Sequence, residues 1–234
     1  MNIELPSVSK SDLTCDVIIA AHNDATTLPA LLAGIPTRVV RSVVVVDNGS
    51  TDATAQVARD AGAVVVRESQ VGYGAACNRG IAHLSKSPQS PQVVVFMTAD
   101  GSYDPQDIAT LLEPIAFNNA ELVIGTRQRK GRRHSGRLAL TLISALYRHK
   151  FEDLGPFRAI RYPAMVALAM ADSGSGWNVE MQVKAVKLGL DIVEVPVSYQ
   201  LQQQQRPAKV REMIDSMEST GRVLFQILRN APTR

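Results

Sequence analysis

Runs of β-branched residues alternate in the first half of the chain with segments whose apolar positions recur at helical spacing. Such runs are typical of buried parallel strands, and they predict strands at 16–21, 43–47, 63–67, 93–98 and 122–125. Helices are predicted between them at 26–33, 52–61 and 108–117, and a further helix follows the glycine-rich segment 71–76 and extends to about residue 86. This alternation predicts an α/β fold with a mostly parallel sheet and helices on both faces.

The second half continues with predicted helices at 138–148, 163–170 and 178–188 and a strand at 191–197. A glutamine-rich stretch at 200–205 follows. After it, apolar residues recur at helical spacing and predict an amphipathic helix that packs on the domain or lies on a membrane. We therefore expect one domain over 1–200, with a glutamine-rich linker and C-terminal helix over 201–234.

The charge of the chain is unevenly distributed, although the formal net charge is only +3. Six basic residues and no acid form a run: Arg127, Arg129, Lys130, Arg132, Arg133 and Arg137. This run favours a phosphate-bearing partner or an anionic membrane surface over nucleic-acid recognition, and a solvated loop is the alternative interpretation.

The cellular location is predicted from cysteines and hydropathy. Cys15 and Cys77 are too few for a disulfide framework and fit a reducing cytosol. No apolar stretch approaches the roughly 20 residues that cross a bilayer, and residues 1–12 lack the pattern of a secretory signal. We expect a cytoplasmic protein whose membrane contact, if any, is peripheral and at the inner face.

Two predicted strands end in a carboxylate and a glycine turn, at Asp47 and at Asp100. Ligands of open α/β sheets bind just beyond the carboxyl ends of strands, so we expect these acids in one site. Carboxylates without a histidine cluster suit Mg²⁺ or Mn²⁺ and a nucleotide better than zinc. The alternative is structural: Asp47 can begin an Asx-turn, and Asp100 can cap the turn before Gly101.

Six motifs, in one order, resemble glycosyltransferase family 2, which has the GT-A (Rossmann-like) fold, and especially its dolichol-phosphate mannosyltransferase-like branch. They are IIAAHND at 18–24, VDNGSTD at 46–52, QVGYGAACNRG at 70–80, DLGPFRAI at 153–160, GWNVEM at 176–181 and EVPV at 194–197. The resemblance implies an inverting transfer of a sugar from a nucleotide diphosphate sugar. It implies a polyprenyl phosphate as the first choice of acceptor and a soluble hydroxyl as the second.

The resemblance also implies roles for individual residues. Asp100 keeps the final acid of the family's Asp-x-Asp segment and is expected to bind metal together with Ser102, whereas Thr98 replaces the first acid. The expected substrate-binding residues are Ala21, Asn23, Asp24, Asp47, Gly72, Gly74, Asn78, Thr98, Ala99, Arg127, Trp177, Arg206 and Lys209. On the acceptor side, Asp153 and Glu180 are candidates for a general base, and Arg158 is a candidate to position a phosphate.

Several of these residues have structural alternatives. Asp52 can cap a helix, Glu180 can be an ordinary first-turn acid, and Trp177 can be a core anchor. The segment from Gly72 to Gly74 can be a tight turn without a ligand. The rival function is a non-catalytic nucleotide-binding or regulatory protein of the same fold, which Thr98 and the glutamine stretch favour. A homodimer through the terminal helix stays open.

Overall fold

A seven-stranded sheet forms the centre of the protein in a computed structural model that describes residues 13–127 and 137–200, together with 225, 226 and 229. Its strands are β1 (Cys15–Ala21), β2 (Val40–Asp47), β3 (Val64–Arg67), β4 (Val93–Thr98), β5 (Leu122–Arg127), β6 (Arg158–Arg161) and β7 (Ile192–Val197). The helices are α1 (Leu28–Ala33), α2 (Thr54–Asp60), α3 (Tyr73–Leu84), α4 (Ile108–Phe117), α5 (Arg137–Tyr147), α6 (Tyr162–Leu168) and α7 (Trp177–Leu188). A 3₁₀ turn, Pro105–Asp107, precedes α4.

The strands lie in the order β3-β2-β1-β4-β6-β5-β7. All neighbouring pairs are parallel except those of β6, which runs antiparallel to both β4 and β5. Side chains of successive strand residues point to opposite faces, so Ile18 packs in one apolar cluster while Val17 and Ile19 pack in the other. Both faces are therefore buried, which confirms the α/β fold with a mostly parallel sheet.

Strand β6 is the element that the sequence pattern did not predict. It has only four residues, and arginines stand at both ends. Arg158 is fully buried, and the guanidinium of Arg161 donates to the carbonyls of Ile115 (2.7 Å) and Ala120 (3.1 Å). Because β6 is antiparallel, the segment that enters it lies at the carboxyl edge of β4 and β5, so the inserted strand delivers residues 153–157 to that edge.

Helix boundaries differ from the predicted ones by a few residues. The predicted helix at 52–61 begins at Thr54, because the Asp52 side chain accepts the Thr54 N–H (2.9 Å) and so stands before the helix. The predicted C-terminal helix and the division at residue 200 lie outside the described residues, except that Phe225, Gln226 and Arg229 are helical. In the described part of the chain, every helix is too short or too polar to cross a membrane.

Candidate active site

The predicted acids meet at the carboxyl edge of the sheet, where β1, β2 and β4 are parallel neighbours. The loops beyond these strands are joined through their backbones. The Ala99 N–H donates to the Ala20 carbonyl (3.0 Å), and the Asn48 N–H donates to the Ala21 carbonyl (2.9 Å). This edge brings together Asp24, Asp47, Asp52 and Asp100, and β5 ends at the same edge with Arg127.

Asp100 is held through one carboxylate oxygen. Its Oδ1 accepts the Thr98 hydroxyl (2.9 Å) and the Ser102 N–H (3.0 Å), and its Oδ2 accepts no hydrogen bond from the described residues. The described chain contains no cluster of three or more His, Cys, Asp or Glu side chains able to hold a metal. A half-buried carboxylate with one open oxygen fits a hard divalent cation that takes its other ligands from substrate phosphates and water.

Asp24 is buried beside this carboxylate. Its Oδ2 accepts the His22 N–H (2.8 Å). Burial raises the pKa of Asp24, the His22 hydrogen bond opposes the rise, and the negative charges of Asp100 and Asp52 add to it. A cation bound at this edge would reduce the repulsion among these carboxylates. The charges around Asp24 and the free oxygen of Asp100 therefore both favour a cation at this place.

Asn23 and Asp52 connect the loop after β1 to the start of α2. Asn23 has a left-handed backbone (φ +57°), and its Oδ1 accepts the Thr51 N–H (2.8 Å). Asp52 accepts hydrogen bonds from the backbone and hydroxyl of Thr54 and from the Ala25 N–H (3.2 Å). Burial would raise the pKa of Asp52, but these hydrogen bonds lower it. Asp52 therefore holds the turn that leads into α2 and joins it to the loop after β1.

Asp47 is buried and forms the turn that the sequence left as its alternative. Its Oδ1 accepts the Ser50 N–H (3.1 Å), and Gly49 has φ +73°. Its Oδ2 lies 3.8 Å from Nε of Arg67, an exposed side chain. One oxygen of Asp47 thus serves the turn while the other faces a solvent-accessible cation, a place where a base N–H can be accepted.

The glycine-rich segment makes room for another backbone. The Gly72 N–H donates to Asn48 Oδ1 (2.8 Å), and the Gly74 N–H donates to the Gly174 carbonyl (3.2 Å). A Cβ on Gly74 would lie 2.5 Å from the Asp172 carbonyl oxygen, and one on Gly72 would meet the carbonyl oxygen of Ser173. Both N–H groups are therefore bonded inside the protein, and the substrate-binding role expected of Gly72 and Gly74 stays a prediction.

Trp177 and Asn78 are likewise engaged with protein groups. The indole is fully buried, with ring centroids 4.9 Å from Phe96 and 5.8 Å from Tyr73. Its N–H donates to Asn78 Oδ1 (2.8 Å), and Asn78 Nδ2 donates to the Asp172 carbonyl (3.0 Å). Trp177 is therefore a core anchor, the structural alternative for this residue.

Glu180 holds the segment that covers the two glycines. Its carboxylate is 1% exposed and accepts the N–H groups of Ala171 (3.1 Å) and Asp172 (2.7 Å). Lys184 forms an ion pair with it at 2.8 Å. A carboxylate with this many partners and no open face is not arranged to take a proton from an acceptor.

Asp153 and Arg158 lie at the ends of β5 and β6. Asp153 accepts the backbone N–H (2.9 Å) and Nε–H (2.7 Å) of Arg127, together with its Nη2. Burial would raise the pKa of Asp153, but the Arg127 contacts lower it, which makes the carboxylate a weak base. Arg158 is fully buried, donates to the carbonyls of Asn178 (3.1 Å) and Gly155, and has its pKa lowered by burial.

Some residues of the site were found only through the structure. Asn48 is buried and donates to the Gln70 carbonyl (2.7 Å), so it fixes the glycine-rich segment. From distant parts of the chain, Ser173 contacts the same segment and Tyr199 contacts Arg127. Asn48 lies inside a recognised motif, whereas Ser173 and Tyr199 carry no sequence signal. The predicted Arg206 and Lys209, and the basic residues 128–136, lie outside the described residues.

Comparison with known proteins agrees with this architecture. The family model described as glycosyl transferase family 2 matches residues 16–160, more than half of the chain. An uncharacterised glycosyltransferase of Mycobacterium tuberculosis is 34% identical over 190 residues, covering 78% of this chain and 84% of the relative. The undecaprenyl-phosphate mannosyltransferase of Micrococcus luteus is 31% identical over 202 residues, covering 78% of this chain and 82% of the relative.

Solved structures show the same fold. The Mycobacterium tuberculosis glucosyl-3-phosphoglycerate synthase, crystallised with Mn²⁺, UDP-glucose and phosphoglyceric acid, superposes with a TM-score of 0.75. The match covers 96% of this chain and 82% of that chain at 23% identity. At this identity the likeness concerns the fold alone.

Proposed function

Because the chain belongs to glycosyltransferase family 2 and is a glycosyltransferase of the GT-A fold, we propose that it moves a sugar from a nucleotide diphosphate sugar to a polyprenyl phosphate, with inversion. The observation that carries the proposal is the open oxygen of Asp100 at the same sheet edge as Asp47 and Asp24. The choice of acceptor rests on the hydrogen bonds and ion pairs that Asp153 and Glu180, the two candidate bases, already make.

The donor is proposed to lie across the ends of β1, β2 and β4. Asp47 would accept an N–H of the base, and Asp24 would lie near the ribose. Asp100, oriented by Thr98 and the Ser102 N–H, would hold Mg²⁺ or Mn²⁺. When bound, such a cation neutralises charge on the departing diphosphate. The Mn²⁺ and UDP-glucose found in a structure of the same fold support this arrangement.

The acceptor is proposed to be ionised before it reaches the enzyme. Asp153 is paired with Arg127, and Glu180 is occupied by backbone N–H groups and Lys184. Neither carboxylate is placed to deprotonate a hydroxyl, whereas a phosphate needs no base. The undecaprenyl-phosphate mannosyltransferase and the polyprenol monophosphomannose synthase of Mycolicibacterium smegmatis, 28% identical over 204 residues and covering 78% of this chain and 76% of the relative, support the same choice. We propose a peripheral contact with the inner face of the membrane, where such a lipid lies.

The test is transfer from a panel of UDP-, GDP-, CDP- and dTDP-sugars to undecaprenyl phosphate in detergent, with Mn²⁺ or Mg²⁺. We expect one donor to give a labelled lipid and free nucleoside diphosphate. Asp100→Asn should lower kcat/KM by about a hundredfold or more, because an oriented charge at the diphosphate is lost. Asp104→Asn is the matched control, since Asp104 is an exposed acid of the same loop that caps the 3₁₀ turn.

Three results would contradict the proposal. Transfer to a soluble hydroxyl acceptor such as phosphoglyceric acid, with none to the lipid phosphate, would show that the acceptor class is misassigned. Equal activity of Asp100→Asn and Asp104→Asn would show that the metal site is misassigned. Tight nucleotide binding without transfer to any acceptor would favour the non-catalytic alternative.

A further inference from the structure

Arg127 ends β5 with its guanidinium fixed on one carboxylate. Its backbone N–H and Nε–H both donate to Oδ2 of Asp153, at 2.9 and 2.7 Å, and its Nη2 donates to Oδ1. The Asp153 side chain is 1% exposed and that of Arg127 is 15% exposed. A planar fork bound at two points to a buried carboxylate keeps one orientation.

Asp153 is itself immobilised by its neighbours. Its backbone N–H donates to Glu194 Oε1 (3.2 Å), and its carbonyl accepts Nε2 of the buried Gln182 (2.8 Å). Gly155 follows closely, and a Cβ there would lie 3.0 Å from the Tyr103 hydroxyl oxygen and 3.5 Å from Arg127 Nε. The backbone that carries the carboxylate is therefore held on both sides by the protein.

The other face of Arg127 is also set by the protein. The Tyr199 ring centroid lies 5.5 Å from Arg127 Cζ, and Tyr199 pairs with Tyr103 through a β-bridge and through their rings (5.2 Å). Tyr103 belongs to the loop that carries Asp100, so this contact ties Arg127 to the proposed metal loop. Nη1 makes no hydrogen bond to the described residues and is left for a ligand oxygen.

We infer that Asp153 is a positioning residue, which orients the guanidinium of Arg127 toward the phosphate of the acceptor and does not act as a base. The inference rests on the proposed function, because it assumes that the acceptor is a phosphate. Arg127 would meet a phosphate oxygen through Nη1, while Asp153 keeps the fork from turning. The side chain then loses its conformational entropy when the protein folds, so binding of the phosphate does not carry that cost.

The chain contains a matched pair at the opposite edge of the sheet. Asp16, on β1, is 1% exposed and accepts Nε–H (2.9 Å) and Nη2–H (2.6 Å) of Arg41. The two carboxylates are equally buried and bind the same two guanidinium nitrogens, although Arg41 is 27% exposed and Arg127 15%. Asp16 lies at the amino end of β1, away from the site. Asp16→Asn therefore reproduces the structural cost of Asp153→Asn without its proposed effect on the acceptor.

The experiment compares wild type, Asp153→Asn and Asp16→Asn in the transfer assay with undecaprenyl phosphate. We expect Asp153→Asn to raise the acceptor KM by about tenfold, with kcat, the donor KM and the acid limb of the kcat pH profile little changed. Asp16→Asn should lower Tm and leave all kinetic constants near wild type. Loss of kcat together with the acid limb, at unchanged acceptor KM, would show that Asp153 is a base. Wild-type kinetics in both variants would show a merely structural pair.

A binding measurement separates this inference from the proposed function. Wild type and the same variants are sedimented with phosphatidylcholine vesicles, with and without undecaprenyl phosphate. If wild type transfers no sugar to the lipid, the proposed function fails, and the inference about Asp153 is then judged from vesicle binding alone. Weaker binding of Asp153→Asn than of Asp16→Asn to the doped vesicles supports it, and equal binding overturns it.

Discussion

At position 98 a hydroxyl stands where the family pattern has an acid. The Thr98 hydroxyl donates to Oδ1 of Asp100 (2.9 Å), so this residue orients the proposed metal ligand without adding a negative charge. The proposed metal site thus has one well-fixed carboxylate. A hydrogen bond of this kind contributes about 1 kcal/mol, enough to change a binding constant severalfold.

We predict that Thr98→Val weakens the response to Mn²⁺, because the variant keeps the shape of the side chain and loses the donor. The Mn²⁺ concentration that gives half of the Tm increase, measured with the donor nucleotide present, should rise about fivefold. Thr98→Ser keeps the hydroxyl and is the control. Identical Mn²⁺ titrations for the two variants would show that this hydrogen bond is irrelevant to the metal.

Asp24 and Asp52 are predicted to respond to pH with opposite signs. The pKa of Asp24 is raised on folding, so its carboxylate costs stability as pH rises through the folded pKa, and the cost persists at neutral pH. The pKa of Asp52 is lowered, so its contribution is present above the unfolded value, about 3.9, and is lost as pH falls through the folded pKa.

The check is urea unfolding of the metal-free protein from acid to neutral pH. At neutral pH Asp24→Asn should be more stable than wild type and Asp52→Asn less stable, and both differences should shrink toward acid. Asp60→Asn, on the exposed end of α2, is the control. A stability gain for Asp24→Asn that is the same at every pH would exclude the charge of the buried Asp24 carboxylate as its cause.

Single residues differ in how far their roles follow from sequence. The position of Asp47 and Asp100 at the same edge of the sheet follows from sequence, because a carboxylate after a β-branched run lies at a strand end, a local property. The partners of Asp153, Glu180 and Trp177 come from segments far along the chain, and only tertiary packing decides them. For these residues the sequence suggests roles but does not decide among them.

At the scale of elements, the parallel strands were predictable and β6 was not. A strand buried on both faces needs a continuous apolar run, which β1, β2 and β4 have. In β6 an arginine stands at each end, so the sequence lacks the apolar run by which a buried strand is recognised. Each arginine can be buried because its guanidinium donates to carbonyl groups of other segments. The sheet order around β6 depends on those contacts, so a periodicity argument cannot recover it.

The packing of the 172–174 segment on α3 gives a prediction at this scale. Gly74→Ala should cost about 1 to 3 kcal/mol in the free energy of unfolding, because its Cβ would overlap backbone atoms that cannot move aside. Gly62→Ala is the comparison, since φ is +82° there but nothing lies within 4 Å of the added Cβ. Urea unfolding measures both variants. A smaller loss for Gly74→Ala than for Gly62→Ala would refute the contact argument.

At the scale of the whole molecule, ligand binding is expected to stabilise the fold across several strands at once. The proposed donor spans the ends of β1, β2 and β4, so the correct nucleoside diphosphate with Mn²⁺ should raise the free energy of unfolding by about 2.7 kcal/mol at a hundred times its Kd. Thermal shift with UDP, GDP, CDP and dTDP measures the effect. Asp47→Ala should reduce the discrimination among bases, whereas Asp60→Ala should not. Unchanged discrimination in Asp47→Ala would remove Asp47 from the base site.

The antiparallel strand in the middle of the sheet has a consequence for synthesis. A ribosome releases β1 to β4 in order, and β2, β3 and β4 can each pair at once with a strand already made. The far side of β4 must wait for β6, which leaves the ribosome only after α4, β5 and α5. During that interval the nascent chain shows an apolar, unpaired strand edge, the kind of surface on which chaperones act and on which two unfinished chains can join.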